Sequence, residues 1–166
     1  FGLKSRGTYR TLSHIETLKI PAVLFKEFVK RNQLLKQIKN TQEKIEFLQQ
    51  TWLFGESISS PIQSQIAQSM SLSKYKKGDS IECDGLMLVK EGKVELTGRG
   101  TDKAESQHVV WKGEFWGGEK MISSESKISC ANAITQTQIY NISDTEILQQ
   151  IPIVRWKMLE QTEKRE

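Results

Sequence analysis

The chain has 166 residues, which is enough for one domain or for one domain with part of a second. Hydrophobic residues make up 37% and charged residues 27%, as is typical of a globular protein, and neither a membrane-length apolar run nor a signal-peptide pattern is present. The formal net charge is +4, but Lys and Arg are interspersed with Glu and Asp, so we expect neither a nucleic-acid partner nor insertion into a membrane.

A short β segment followed by a helix is predicted at the start of the chain. Residues 8–20 alternate broadly between apolar and polar, and Leu12 is spaced for the same face as Leu18 and Ile20, which predicts a strand or a hairpin. Pro21 ends that segment and suits the first turn of a helix, because the N–H that it lacks would have no helical partner there.

A second helix is predicted from about residue 33 to residue 52. Its apolar positions recur at alternating intervals of four and three residues, which places them on one stripe. They are Leu34, Ile38, Thr41, Ile45, Leu48 and Trp52. The stripe is short and contains a threonine, which favours a linking helix packed within the chain over a dimerising coiled coil.

The second half of the chain predicts short strands joined by turns. Pro61 starts a short amphipathic helix that carries Ile62, Ile66 and Met70, and strands and turns alternate from Lys74 onward. A strand is predicted to begin at Ile81, and the other predicted strands comprise residues 86–89, 94–96, 108–111, 128–133 and 139–142. The predicted turns are 78–79, 91–92 and 112–113, with a polar hairpin loop at 98–106.

Helices are therefore expected before and after a set of short strands. Asp144 is predicted to cap the last helix, and Pro152 to kink or divide it. Short strands with glycine at the turns favour a β-barrel or jelly roll, so the predicted fold class is α+β. The stretch Gly113–Ile122, GEFWGGEKMI, indicates a loop running into a short helix, an arrangement that can hold a phosphate on backbone N–H groups.

No residue pattern in the sequence predicts catalysis or a metal centre. Ser-His-Asp and Cys-His arrangements, paired carboxylates and phosphate-loop signatures are all missing. Cys83 and Cys130 have no Cys or His at metal-ligand spacing, and two thiols without a secretion signal indicate a reducing compartment. His14 and His108 are each predicted to be ordinary strand residues. We therefore expect a non-enzymatic protein that requires no cofactor.

Three motifs in the second half of the chain have the order and spacing of a known domain. Tyr75–Ile81 is YKKGDSI, Val89–Leu96 is VKEGKVEL, and Gly113–Gly117 is GEFWG. Together they resemble the opening turn, the next hairpin and the start of the phosphate-binding cassette in the cyclic-nucleotide-binding domain. That domain is the β-roll module of cAMP-dependent kinase regulatory subunits and of the bacterial catabolite activator. The resemblance runs from about Trp52 to the end.

The start of the chain resembles the end of the same kind of domain. Arg6–Leu12 (RGTYRTL), Leu18–Pro21 (LKIP) and Phe25 are similar to the family pattern R-A-T-V-x-A-L, L-x-I-P and F. The resemblance thus implies a tandem protein whose β-roll is flanked by N- and C-terminal helices and preceded by the tail of a second similar domain. The implied parts are an incomplete first domain in residues 1–32, a linking helix in 33–52 and a second domain in 53–166.

Aligned without gaps on the family cassette, the second domain departs from it at two positions. Gly118 falls where the family has the Glu that binds the ribose 2′-hydroxyl. Lys127 falls where the family has the Arg that pairs with the cyclic phosphate, and it keeps the charge without the bidentate fork. The ligand-binding candidates that the resemblance implies are Trp116, Gly117, Gly118, Glu119, Lys127, Ser129 and Cys130.

Several of these residues also have simpler interpretations. The resemblance makes Arg6 the cassette arginine of the first domain and Trp156 an aromatic lid over the base. Trp156 would alternatively pack against the barrel, Lys127 would be a solvated lysine, and Trp116 is better interpreted as barrel core.

The resemblance leaves two functions open. The chain is either a regulatory or structural interaction module whose second site has lost tight cAMP or cGMP binding, or a working cAMP or cGMP sensor that signals through its C-terminal helix. The departures at Gly118 and Lys127 favour the first hypothesis. We expect a protein partner in a larger signalling or cytoskeletal assembly and a cytoplasmic location, with a ciliary assembly as one such setting.

Overall fold

The computed structural model describes residues 7–8, 10–55, 58–99, 105–118 and 128–164, and the chain divides into two compact units, residues 1–40 and 41–166. The helices are α1 (Ala22–Arg31), α2 (Leu35–Gln50), α3 (Ser60–Ser69), α4 (Glu146–Gln149) and α5 (Pro152–Lys164). The strands are β1 (Met70–Tyr75), β2 (Leu86–Glu91), β3 (Lys93–Arg99), β4 (Glu105–Trp111), β5 (Phe115–Gly117), β6 (Ile128–Ala133) and β7 (Thr137–Ile142).

The first unit contains α1 and the part of α2 up to Asn40. Helix α1 begins directly after Pro21, as predicted. At its other end, the Asn32 side-chain amide donates to the carbonyl of Phe28 over 2.8 Å. Gln33 follows with φ of +55°, a left-handed conformation that ends the helix. The linking helix therefore begins two residues later than the sequence pattern indicates.

The strand or hairpin predicted near the start of the chain is wrong for the described residues. Residues 10–20 contain no strand, and the side chains of Leu12 and Leu18 are 98% and 97% exposed. An alternating pattern forms a strand only where a neighbouring strand pairs with its backbone groups. His14, expected in a strand, is an exposed residue of this irregular segment.

Helix α2 ends at Gln50, so the stripe predicted to reach Trp52 is too long. Thr51 stops the helix, since both its N–H and its hydroxyl donate to the carbonyl of Leu48, over 3.0 and 2.7 Å. Leu48 and Phe47 lie in the core of the second unit. Their burial agrees with a helix packed within the chain.

Two further boundaries differ from the prediction. Helix α3 starts at Ser60 with Pro61 in its first turn, as expected, but Met70 begins β1 instead of continuing the helix. Ile81 is buried without starting a strand. Its N–H donates to the carbonyl of Ala131 over 2.8 Å, beside a single β-bridge.

The strands of the second unit form two antiparallel sheets. One has the order β1-β7-β2-β5 and the other the order β4-β3-β6. The turn between Lys76 and Asp79 and the bend at Gly92 occur where predicted, and Gly92 has φ of +92°. Pro152 separates α4 from α5, as the sequence predicts. The N-cap of α4 is Thr145 instead of the predicted Asp144, although the Asp144 carboxylate accepts a hydrogen bond from the N–H of Glu146.

Each face of the four-stranded sheet covers a separate hydrophobic cluster. Leu86 and Leu88 of β2 pack with the helices, whereas Met87 and Val89 point to the other face. We call the second cluster the roll core, because the two sheets enclose it. The roll core comprises Ile81, Met87, Val89, Val94, Leu96, Val110, Trp116, Ala131, Ala133 and Ile139.

Candidate functional site

Phe115–Gly117 form a strand where the sequence indicates a loop, and the short helix expected after that loop lies outside the described residues. Phe115–Gly117 pairs with Leu86–Leu88 in the four-stranded sheet. The N–H of Val89 donates to the carbonyl of Glu114 over 2.9 Å, which extends the contact. The start of the cassette is therefore fixed by backbone pairing before residue 118 is reached.

Trp116 fills the interior between the two sheets. It is fully buried in the roll core, directly opposite Met87. Its neighbour Phe115 points to the other face and packs with the helices. The indole N–H of Trp116 has no hydrogen-bond partner in the described part of the chain. This placement agrees with the interpretation of Trp116 as barrel core.

Two consecutive glycines follow Trp116, and both have φ of +76°. A Cβ on Gly117 would lie 2.3 Å from the carbonyl oxygen of Gly85 and 2.6 Å from Sγ of Cys83. Since real contacts at a Cβ are longer, only glycine fits there. Gly118 is buried and shares the left-handed backbone.

The backbone conformation at Gly118, as well as its missing side chain, disfavours a ribose-binding carboxylate at this position. A non-glycine residue in the left-handed region costs roughly 1–2 kcal/mol. A glutamate there would also have to extend a carboxylate from a buried position, which is costly unless the charge is paired. A glutamate at position 118 would therefore be disfavoured by the backbone conformation as well as by burial.

At the other end of the cassette, β6 carries Ser129 and Cys130. Cys130 is partly exposed and lies opposite Thr97 of β3. Because side chains alternate along a strand and Ala131 lies in the roll core, Cys130 faces outward. The side-chain amide of Asn132 donates to its Sγ over 3.3 Å.

The other candidates are separated or lie outside the described residues. Arg6, Glu119 and Lys127 belong to the parts that the structure does not describe. Trp156 is on α5 with 68% of its surface exposed, so the alternative in which it packs against the barrel is wrong. Of the predicted site residues that are described, Trp116, Gly117 and Gly118 are consecutive at β5, Ser129 and Cys130 are consecutive in β6, and Trp156 lies on α5.

The sequence pattern missed a contact that involves Trp52. Its ring stacks on Phe115, with the centroids 6.4 Å apart and the planes at 7°. The ammonium of Lys157 donates to the Trp52 carbonyl over 2.6 Å and lies 5.3 Å from the ring centroid. Lys164 lies 5.8 Å from the same centroid. No sequence signal marks this contact, because Trp52 fits the apolar stripe of a helix.

Neither a metal centre nor a membrane-spanning helix is found among the described residues. No group of three or more His, Cys, Asp and Glu side chains there is placed to hold a metal ion. His108 lies in β4, as predicted, and its Nε2 is buried without a partner there. Within the same ranges, no helix is both long enough and apolar enough to cross a bilayer.

No protein-family model and no curated protein matches the chain. Solved structures do. The regulatory subunit of a cAMP-independent protein kinase A from Trypanosoma brucei matches with a TM-score of 0.61 at 20% identity, over 79% of this chain and 50% of that one. The regulatory domain of Toxoplasma gondii PKA, solved with cAMP, matches with a TM-score of 0.64 at 13% identity, over 76% and 51%.

A bacterial protein shares the same architecture. The catabolite activator protein of Thermus thermophilus matches with a TM-score of 0.52 at 19% identity, over 68% of this chain and 57% of that one. The chain thus spans about half the length of the kinase structures that it matches. Together these likenesses show the fold: the predicted cyclic-nucleotide-binding β-roll with flanking helices is confirmed.

Proposed function

We propose that this chain is a non-enzymatic regulatory module in which the cyclic-nucleotide-binding fold of residues 53–166 serves as an interaction module without tight cAMP or cGMP binding. The observation that carries the proposal is the buried, left-handed backbone at Gly118. That position supplies the ribose-binding carboxylate in the family that the sequence resembles. Here it has neither the side chain nor a backbone suited to one.

The expected loss of affinity is large. A hydrogen bond to a charged group contributes about 1.5–3 kcal/mol. Losing the carboxylate at position 118 and replacing a bidentate arginine by Lys127 would therefore weaken binding by about two to three orders of magnitude. A cyclic nucleotide that binds tightly to a complete family cassette would bind this chain only at high concentration.

The solved neighbours support a regulatory role in which cAMP is not obligatory. One neighbour is the regulatory subunit of a protein kinase A that is cAMP-independent, and a triple mutant of it is bound to cAMP in the A site. The Trypanosoma cruzi counterpart is bound to guanosine. A neighbour from a cAMP-independent kinase supports a regulatory role for this chain without tight cAMP binding.

The second candidate function is a working cAMP or cGMP sensor. The Toxoplasma gondii neighbour, solved with cAMP, favours it, as does the 68% exposure of Trp156 on α5. In that case α5 would move when the ligand binds, and Trp156 would cover the base.

The setting of either function is also a proposal. The resemblance of Arg6–Phe25 to the end of a first domain supports a tandem arrangement. Regulatory subunits act on other proteins, so we infer a protein partner in a cytoplasmic signalling or cytoskeletal assembly.

Calorimetric titration of the 166-residue chain with cAMP, cGMP and guanosine tests the proposal. We expect no micromolar binding of either cyclic nucleotide by the unaltered chain. The double variant Gly118→Glu, Lys127→Arg restores both charged groups. Gly118→Ala, Lys127→Arg is its matched control, because alanine brings the same backbone strain without the carboxylate.

The outcomes separate the two functions. Cyclic-nucleotide binding by the glutamate variant, with none by the alanine control, would show a roll whose ligand contacts have been lost. Micromolar or tighter binding of cAMP or cGMP by the unaltered chain would contradict the proposal and establish the sensor. Binding of guanosine alone would indicate a site that accepts a nucleoside without its phosphate.

A further inference from the structure

Three buried side-chain atoms among the described residues lack a hydrogen-bond partner. They are Nε2 of His108, Nε1 of Trp116 and Oδ1 of Asn141. Buried polar groups are nearly always hydrogen-bonded, because a buried donor or acceptor that is left unpaired costs free energy. The positions of these three atoms therefore indicate where a partner is missing.

Trp116 and Asn141 lie on the same face of the four-stranded sheet, with one strand between them. Both are directly opposite Met87 of β2, Trp116 from β5 and Asn141 from β7. Residues that are opposite each other share a face, and Met87 belongs to the roll core, so both side chains point into the roll. Their Cα atoms are roughly 10 Å apart, because neighbouring strands are about 4.8 Å apart.

The two unpaired atoms have opposite roles in a hydrogen bond. Trp116 is fully buried, and its indole N–H can only donate. The side-chain amide of Asn141 is oriented by Nδ2, which donates to the hydroxyl of Ser143 over 3.2 Å. The atom left inside is therefore Oδ1, which can only accept. The missing partner must offer an acceptor at one end and a donor at the other.

The facing sheet contributes the third unpaired atom. His108 of β4 lies opposite Leu96 of β3, which belongs to the roll core, so its ring also points into the roll. Its Nε2 donates or accepts according to the tautomer of the ring. Ala131 and Ala133 of β6, the smallest side chains of the roll core, belong to the same sheet. They leave more room between the sheets than larger residues would.

The described part of the roll interior carries no buried charge. Lys44 is the one charged residue buried among the described residues, and it donates to the carbonyl of Met70 in the other hydrophobic cluster. A charged ligand in the roll would lose its water without gaining an opposite charge, which is costly. Apolar walls with a few polar atoms are typical of sites for small uncharged molecules.

We propose that the interior of the roll binds a small uncharged ligand, a planar heterocycle with a carbonyl group opposite a ring N–H. The ring lies over Met87, the indole N–H of Trp116 donates to the carbonyl oxygen, and Oδ1 of Asn141 accepts from the ring N–H. This site goes beyond the function proposed above, because it uses neither of the positions 118 and 127 at which the cassette departs from the family.

Nuclear magnetic resonance of the indole N–H groups in the full chain tests the site. The chain has four tryptophans, and the three besides Trp116 are 47%, 54% and 68% exposed. The indole signal of Trp116 is therefore the one expected to be protected from solvent, and its loss in Trp116→Phe identifies it. Titration with 4-pyridone or uracil should shift this signal downfield and leave the other three in place.

A matched pair of probes tests the donor of the ligand. N-methyl-4-pyridone keeps the carbonyl group and lacks the ring N–H that Asn141 would receive. It should bind at least about tenfold more weakly than 4-pyridone, because one buried hydrogen bond is lost.

Matched variants test the two protein atoms. Trp116→Phe and Asn141→Leu each remove one polar atom and keep most of the side-chain bulk, so each should weaken 4-pyridone binding about tenfold in calorimetry. Trp111→Phe and Asn132→Leu are the controls, because both residues alternate with roll-core residues and therefore lie on the outer face. They should change the affinity by less than about twofold. Thermal melting by circular dichroism verifies that each variant is folded.

Three results would overturn the site. If neither 4-pyridone nor uracil shifts the Trp116 indole signal, water satisfies the unpaired atoms and the roll holds no such ligand. If N-methyl-4-pyridone binds as tightly as 4-pyridone, Asn141 does not receive a proton from the ligand. If the outer-face variants weaken binding as much as the inner-face variants, the ligand lies elsewhere. Binding that is lost only in the inner-face variants supports the proposal.

Discussion

Two segments of the chain have a similar apolar pattern and opposite environments. Leu18 and Ile20 alternate with polar residues before Pro21 and α1, and Tyr140 and Ile142 alternate in the same way before α4. Leu18 and Ile20 are 97% and 64% exposed, whereas Tyr140 and Ile142 are 1% and 0% exposed. Only the second segment is a strand.

Alternation of apolar and polar residues is therefore a condition for a strand and not a cause of one. β7 lies between β1 and β2, so both edges of its backbone are hydrogen-bonded. Its side chains are covered by the helices on one face and by the roll core on the other. The described part of residues 10–20 has no such neighbours within the first unit, and its apolar side chains stay exposed.

The same isoleucine-to-alanine substitution should change the free energy of unfolding very differently in the two segments. Ile142→Ala should lower the free energy of unfolding by about 2–5 kcal/mol, because it removes buried methyl groups and leaves a cavity. Ile20→Ala should change it by less than about 0.5 kcal/mol, because its side chain is exposed. Urea denaturation followed by far-ultraviolet circular dichroism measures both.

The same pair of variants can contradict the contrast between the two segments. A loss of several kcal/mol in Ile20→Ala would show that residues 10–20 are covered in solution, and the similarity of the two segments would then extend to their structure. Equal small losses in both would contradict the burial of Ile142 in β7.

Much of the fold could be predicted from local signals. Pro21, Pro61 and Pro152 mark helix starts or a division because proline fixes φ and lacks an N–H, and these effects act within one turn. The strands of the roll follow from alternation together with turn glycines such as Gly92. β2 and β3, on either side of Gly92, lie where these signals predict them.

The features that the sequence pattern missed depend on distant parts of the chain. Gly117 must be glycine because Gly85 and Cys83 approach it across the sheet, which no local pattern reveals. The stretch after Gly113 resembles a loop because of its glycines, but pairing with β2 makes it a strand. Trp52 leaves the helical stripe because Thr51 ends α2 and Phe115 provides a stacking surface.

Two glycines, Gly117 and Gly113, differ in whether distant residues approach them. Gly117→Ala should cost about 2–3 kcal/mol, because the left-handed backbone and the 2.3 Å approach to the Gly85 carbonyl both oppose a Cβ. Gly113→Ala should cost only about 1 kcal/mol, since Gly113 has φ of +87° and a Cβ there would meet no atom of the described residues within 4 Å. Urea denaturation gives both values, and equal losses would show that the contact across the sheet yields without cost.

Two lysines of α2, one on each side of the unit boundary, differ in burial, and their substitution should have a small effect on stability. Lys39 is exposed, whereas Lys44 is 8% exposed and donates to the carbonyl of Met70 over 2.5 Å. Burial lowers the pKa of Lys44 below its usual value of 10.5, because the charged form loses its water. Lys44→Met therefore removes a buried charge, and Lys39→Met is the control for the loss of one positive charge.

The sign of the pH dependence follows from the direction of that shift. Between the lowered pKa of Lys44 in the folded chain and 10.5 in the unfolded chain, the unfolded chain binds more protons. Stability conferred by Lys44 therefore rises with pH across that window and is lowest below it. Raising the pH from about 7 to about 10 should therefore increase the unfolding free energy of the unaltered chain relative to that of Lys44→Met. Urea titrations of both chains at each pH measure this change. If the difference in unfolding free energy does not change with pH, the ammonium of Lys44 keeps its water in the folded chain. The contrast between Lys39 and Lys44 would then concern packing alone.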